Sequence, residues 1–224
     1  MKKICLYPIA IPIGNNDDIT LRAINILQNV DVVIGEERNT TEIFLKRNRV
    51  TNKEIIVLNE HNEKNEAISI LHYLINNDSQ AALISENGTP CIADPGASLV
   101  NLFHEYGLPV VPIPGASSIM AALMSAGIVQ NCFQFTGFLS PKTEIRRQEI
   151  KNFLKITIPI IILETPYRRK VLLHDLQTIC GAQKKIVFAY KLTMPDELII
   201  KSTVEDVIKR TNDLQKGEFV IILL

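Results

Sequence analysis

The sequence predicts an α/β protein of two lobes, with a mainly parallel sheet in the first and a mixed sheet in the second. Three observations predict it. From residue 3 to residue 115, short apolar runs alternate with amphipathic stretches of helical period, the pattern of successive βα units. Beyond about Pro114 the strand candidates follow one another more closely, which suits a mixed sheet. Finally, 224 residues without a repeat or low-complexity linker are enough for two lobes, each with its own core. The boundary is placed near Pro114, giving 1–113 and 114–224 with a cleft between them.

Each element follows from its own stretch of sequence. "KICLYPIAI" (3–11) reads as a buried strand, and "DDITLRAINILQNV" (17–30) as an amphipathic helix with Asp17 and Asp18 available at its start. "DVVIGEE" (31–37) is a strand ending in acid, and "TTEIFLKR" (40–47) a short helix. "EIIVLNEH" (54–61) is a third strand before the helix "EKNEAISILHYLINN" (63–77). "QAALIS" (80–85) is a fourth strand, "GASLVNLFHEYG" (96–107) a helix closed by Gly107, and "LPVVPIPG" (108–115) a fifth strand. "GASSIMAALMSAG" (115–127) is a helix with small residues on its faces. In the second lobe "QFTGF", "IPIIILE", "KIVFAY", "ELIIKST" and "EFVIILL" are strands. The helices "TEIRRQEIKNFLK", "YRRKVLLHDLQTIC" and "VEDVIKRTNDLQ" lie among them.

Composition narrows the function. Lys plus Arg (24) balances Asp plus Glu (24), so no global basic field gathers nucleic acid, and an RNA ligand would need a local basic face. Cys5, Cys91, Cys132 and Cys180 are scattered, with no CxxC pair and no ligand-like spacing to any His; they read as reduced thiols of a cytosolic protein, with no metal site. The opening lysines and apolar run imitate a signal peptide, but Pro8 and Pro12 interrupt it and no cleavage site follows. No stretch approaches the ~18 apolar residues of a membrane helix.

The chemistry falls in the loops. In "SENGTPCIADPGASLV" (85–100) two turn-forming clusters, Asn87-Gly88-Thr89-Pro90 and Asp94-Pro95-Gly96, build a sharply folded loop with exposed backbone polar groups. "IPIGNN" follows the first strand, where Pro12 and Gly14 shape a turn and Asn15 or Asp17 can cap the next helix. "GEERN" sets Glu36, Glu37 and Arg38 at a strand's C-terminal edge, where ligands sit in open α/β sheets. In "IPGASS", Ser117 and Ser118 stand near a helix N-terminus, either capping it or holding a ligand carboxylate. Neither GxGxxG nor a phosphate-binding P-loop is present, which disfavours a dinucleotide enzyme and an NTPase.

Taken in order, "PIGN", "SENGTP" with "DPG", "VVPIPGASS", Gly137-Phe138, "LETPYR" and "KGEF" resemble the tetrapyrrole methylase superfamily of S-adenosylmethionine-dependent methyltransferases. The nearest branch is the bacterial 16S ribosomal RNA ribose 2'-O-methyltransferases, and the resemblance runs from Leu6 to near Leu223. It implies that the cofactor lies folded in the cleft between the lobes. Pro12, Gly14, Gly88, Thr89, Ile92 and Asp94 would then line it. Ser117 and Ser118 would meet it from the next helix, and Leu163, Glu164, Leu192, Thr193 and Gly217 would close around the adenine. A homodimer is implied as well.

The chain departs from that branch at several positions. "GEERN" stands for "AEDTR", "SENGTP" for "SDAGTP", "LETPYR" for "YESPHR", and Tyr190-Lys191-Leu192-Thr193-Met194 for "RELTK". It ends on the "KGE" strand, without the C-terminal extension of some relatives. Cofactor-facing residues persist while substrate-facing ones drift. For methyl transfer, in-line alignment supplies up to roughly 7–11 kcal/mol. A ribose acceptor also needs a base, for which Glu36 and Glu37 are the candidates, with Asp94 holding the loop. Arg146 and Arg168, each beside further basic residues, are the candidates for RNA phosphates. The rivals are a methyltransferase of a porphyrin or corrin precursor, disfavoured by the acidic loops, and a non-catalytic cofactor-binding protein.

Overall fold

Runs such as Val32–Gly35 and Phe219–Leu223 offer water no polar side chain, so their strands need cover on both faces. The computed structural model describes residues 4–128 and 131–224, which form two units, Met1–Ser117 and Ser118–Leu224. The sequence boundary lay four residues earlier. Residues 114–117 stay with the first unit because Gly115 lies close against Ala10 and the carbonyl of Ala116 accepts the Thr89 hydroxyl.

In the first unit, β1 (Leu6–Pro8), β2 (Val32–Gly35), β3 (Glu54–Val57) and β4 (Ala81–Leu83) form a sheet of order β1-β4-β2-β3, parallel throughout. Successive side chains point to opposite faces, so each strand feeds two cores. Leu6, Val32, Ile34, Ala81 and Leu83 pack with α3 (Glu63–Asn76) and α4 (Ala97–Glu105). Val33, Ala82 and Ile84 pack on the opposite side with α1 (Leu21–Asn29) and α2 (Arg38–Arg47).

Three sequence expectations are corrected. Residues 108–115 make only isolated parallel bridges, Val110 to Leu6 and Ile113 to Ile9, rather than a full strand. The main-chain bonds still run edge-strand fashion: Leu6 N donates to Pro109 O, Val111 N to Leu6 O and Ile113 N to Pro8 O. Pro112 and Pro114 alternate with these donors, at positions facing away from the sheet, where a missing N–H costs nothing. The first helix starts at Leu21 rather than near Asp17, because Thr20 caps it by accepting from Ala23 N, while Asn15 caps a separate 3-10 turn at Asn16–Asp18. The second starts at Arg38, directly after Glu37, so the acidic cluster sits at a strand-to-helix corner.

In the second unit, β5 (Gln134–Phe138), β6 (Ile160–Glu164), β7 (Lys185–Tyr190), β8 (Leu198–Thr203) and β9 (Phe219–Leu223) form a mixed sheet of order β5-β6-β9-β7-β8. Only β5 and β6 are parallel. One face packs on α6 (Thr143–Phe153), α7 (Arg169–Cys180) and α8 (Val204–Thr211) around stacked Phe188, Tyr190 and Phe219. α5 (Ser118–Ala126) lies against β9. All four cysteines are free thiols, and no helix among the described residues is long and apolar enough to cross a membrane.

Candidate functional site

Parallel strands end at a common edge, so the loops after β1, β2, β4 and the 108–113 segment gather there. They are stitched together. Ile11 and Gly88 exchange both main-chain hydrogen bonds, at 2.8 and 3.1 Å, fixing the "GTP" turn beside Pro12. Thr89 Oγ1 donates to Ala116 O at 3.1 Å, tying that turn to the Ser117-Ser118 segment. Glu86 N donates to Glu36 Oε1 at 2.9 Å, bringing the β2 and β4 loops together. The single Ser85 hydroxyl proton is shared between the Asp94 carboxyl and Asn87 O, 3.1 Å away, so the loop folds back on its own origin.

Four residues between 88 and 96 hold positive φ: Gly88 at +75°, Cys91 at +67°, Ala93 at +61° and Gly96 at +113°. Cys and Ala resist this region, so the surroundings must impose it, as happens where backbone is shaped for a ligand. A Cβ at Gly88 would also press on Ile13 Cγ2 at 3.1 Å. Ile92 and Ala93 lie exposed at the loop's crest. Sequence reasoning missed the brace beneath it. Glu63 Oε1 accepts from Gly96 N at 3.0 Å and Ser98 N at 2.8 Å, a carboxylate at the start of α4. Nothing local marks an acid at the head of α3 as reaching another helix.

Glu36 is half-buried beside a pocket of about 20 Å³, room for about one water, lined by Ile11, Thr40, Phe44, Ser85 and Glu86 among others. Burial pushes its carboxyl up to about 7. The Glu86 N–H opposes this, and the charges of Asp94, Glu86 and Glu60 add to it. Asp94 is raised to about 6, again first by burial, with Ser85 opposing and Glu86 adding. Thus Glu36 and Asp94 stand together as two carboxyls near neutrality. Glu37 does not join them: it faces solvent at the N-cap of α2 and makes no capping bond with its side chain. Arg38 turns to Ile55 O at 2.7 Å.

In the second unit, β9 runs antiparallel between β6 and β7, so its start meets their ends: Glu164 and Tyr190 both pair with Phe219. Leu163, Glu164, Leu192, Thr193 and Gly217 therefore come to one sheet edge. Lys191 and Thr193 hold positive φ, and a Cβ on Gly217 would strike Lys191 and Tyr190. The Glu164 carboxylate is buried and structural. Its Oε1 accepts from Thr165 N and Arg168 Nε, both at 2.7 Å, fixing the 3-10 turn Pro166–Arg168.

Both arginines expected to meet phosphates are engaged internally. Arg146 is 2% exposed; its guanidinium pairs with Asp175 at 2.7 Å and donates to Ser140 O and Pro141 O. It cannot offer itself to a polyanion, which corrects that assignment. Arg168 pairs with Glu164 at 2.6 Å and donates to Leu139 O.

Residues 5–208 match the profile of a family described as tetrapyrrole (corrin/porphyrin) methylases. Among curated proteins, the ribosomal RNA small subunit methyltransferase I of Neisseria meningitidis serogroup A is 34% identical over 221 residues, covering 97% of this chain and 75% of that protein. The protein of the same name from Synechocystis is 36% identical over 219 residues, covering 97% and 78%. Among solved structures, diphthine synthase has a TM-score of 0.76 at 14% identity, over 99% of this chain and 90% of that one. Uroporphyrin-III C-methyltransferase from Thermus thermophilus, complexed with S-adenosylhomocysteine, has 0.67 at 15%, over 98% and 96%. These structures share the fold.

Proposed function

The chain belongs to the tetrapyrrole (corrin/porphyrin) methylase family, and from that premise we propose that it methylates small-subunit ribosomal RNA with Glu36 as base. It is an S-adenosylmethionine-dependent methyltransferase. The residues fit that cofactor. The 88–96 loop is held in a strained backbone shape with four positive φ angles, and a Cβ at Gly88 would crowd the Ile13 side chain at 3.1 Å. In this reading Pro12, Gly14, Gly88, Thr89, Ile92, Asp94, Ser117, Ser118, Leu163, Leu192, Thr193, Gly217 and the main chain of Glu164 contact it. When bound, the cofactor supplies an electrophilic methyl group and departs as the neutral thioether.

A ribose hydroxyl that attacks this methyl must lose its proton, and Glu36, with its carboxyl at about 7, is matched to take it at neutral pH. That half-buried carboxylate, fixed by Glu86 N at the strand edge, is the observation that supports the reading. Glu37, in solvent, serves only to orient substrate. The RNA acceptor is preferred to a tetrapyrrole because the curated relatives, 34% and 36% identical over 97% of the chain, are named ribosomal RNA small subunit methyltransferases. A cytoplasmic, two-fold homodimer completes the proposal.

Two measurements test it. Calorimetry with S-adenosylhomocysteine should give one site per chain, abolished by Gly88→Val, which puts a β-branched side chain at φ +75° and against Ile13. Undiminished binding by that variant would remove the cradle. Transfer of labelled methyl to small-subunit RNA, absent from the other RNA pools, should identify the acceptor; label in a tetrapyrrole fraction instead would overturn the RNA reading.

A further inference from the structure

With Arg146 and Arg168 engaged, what the second unit presents beside Leu163–Thr165 is an aromatic ring. Tyr167, in the 3-10 turn Pro166–Arg168, is 75% exposed. Large aromatic rings normally bury most of their surface, and this one extends into solvent from a fixed base. The turn is held by Glu164 through Thr165 N and Arg168. Lys216 Nζ lies 4.4 Å from the ring centroid, over one face. The loop carrying Lys216 is itself fastened: Arg169, buried, donates to Gln215 O at 2.9 Å and Leu214 O at 2.6 Å, and Tyr190 Oη donates to Gln215 O at 3.1 Å. Lys170, exposed, follows one turn along.

A rigid exposed ring backed by a lysine, with a second lysine nearby, has the chemistry of a single-stranded nucleic acid platform. A base stacks on the open face while the ammonium groups meet the neighbouring phosphates. We propose that Tyr167 stacks on an unpaired base of the RNA substrate, with Lys216 on the adjoining phosphate, and so replaces the two arginines as the substrate contact. This rests on the RNA reading above and adds the residues that hold the strand. The ring needs only its π-face for this, so any planar side chain serves.

The test measures anisotropy of a labelled single-stranded fragment of small-subunit RNA on the full chain, with calorimetry of S-adenosylhomocysteine in parallel. Tyr167→Ala should weaken RNA binding by about 5- to 150-fold, the range for loss of one stacked base, with cofactor affinity unchanged. Tyr167→Phe and Tyr167→Trp should bind like the parent. Lys216→Gln should make the salt dependence shallower by about 0.7 in log–log slope. Parent-like RNA binding by Tyr167→Ala overturns the inference alone. Equal losses of RNA and cofactor by that variant also overturn it, because the ring would then serve the adenine. No RNA binding by the parent chain would fell the RNA reading and this inference together.

Discussion

Glu36 combines three properties at one position: a strand end that fixes its backbone, a Glu86 N–H that orients one oxygen, and burial that holds its proton until about pH 7. Its carboxyl is raised above the ordinary 4.5, so the folded protein keeps a proton that the unfolded chain has already released between pH 4.5 and about 7. Stability from this group is therefore fully present below about pH 4.5 and declines as pH rises to about 7. Glu36→Gln keeps an acceptor for Glu86 N but has no charge to bury. Thermal melts should show the variant above the parent at pH 8 and level with it at pH 4. Activity should respond in the opposite sense: kcat/KM of the parent rises with pH through about 7, and the variant loses roughly 10²- to 10⁴-fold while still binding S-adenosylhomocysteine. A variant of parental activity would exclude Glu36 as base. The sequence showed that Glu36 and Glu37 adjoin a strand end, but a one-residue step separates a half-buried oriented acid from a solvated one. That difference depends on where α2 begins, which "EERN" does not reveal.

At the level of elements, α6 and α7 are joined by a buried charge cluster. Asp175, 1% exposed, accepts from Arg146 Nε at 2.8 Å and Arg147 Nε at 2.7 Å. Burial alone would raise its pKa, but the two arginines outweigh that and lower it. Asp175→Ala leaves Arg146 charged, buried and without its counter-ion, which costs about 3–5 kcal/mol. Urea titration should show the midpoint falling with an unchanged slope; a loss below 1 kcal/mol would mean that Arg146 finds another partner. The same cluster shows where sequence reading stops. Apolar periods disclosed every α-helix and strand among the described residues and added only 108–115 as a strand too many, because period depends only on which side of an element is buried. Arg146 resembled a solvated phosphate-binding residue, because its partner lies 29 positions away on another helix. Likewise Asp17 and Asp18 looked like caps until Thr20, three residues before Ala23, took that bond. Partnership across elements is a tertiary fact, and the same holds for Glu63 beneath the 88–96 loop.

At the scale of the whole molecule, equal numbers of acidic and basic residues leave no net repulsion between copies, and α5 exposes Met120 and Met124. The proposed homodimer should appear in light scattering as about twice the 25.1 kDa chain mass across a tenfold dilution above micromolar, with Met124→Glu reducing it to the chain mass. A monomer throughout would remove the dimer. Such pairing has to use side chains rather than main chain at one border of the first unit. There residues 108–113 form the outermost line of the parallel sheet, and Pro112, with Pro114 just beyond it, stands where an outward N–H would otherwise invite another strand. An incoming strand finds gaps in the ladder it would need, so this border resists the edge-to-edge growth that leads towards fibrils. A chain with no net charge to keep its copies apart at neutral pH thus has a steric safeguard against aggregation written into its backbone.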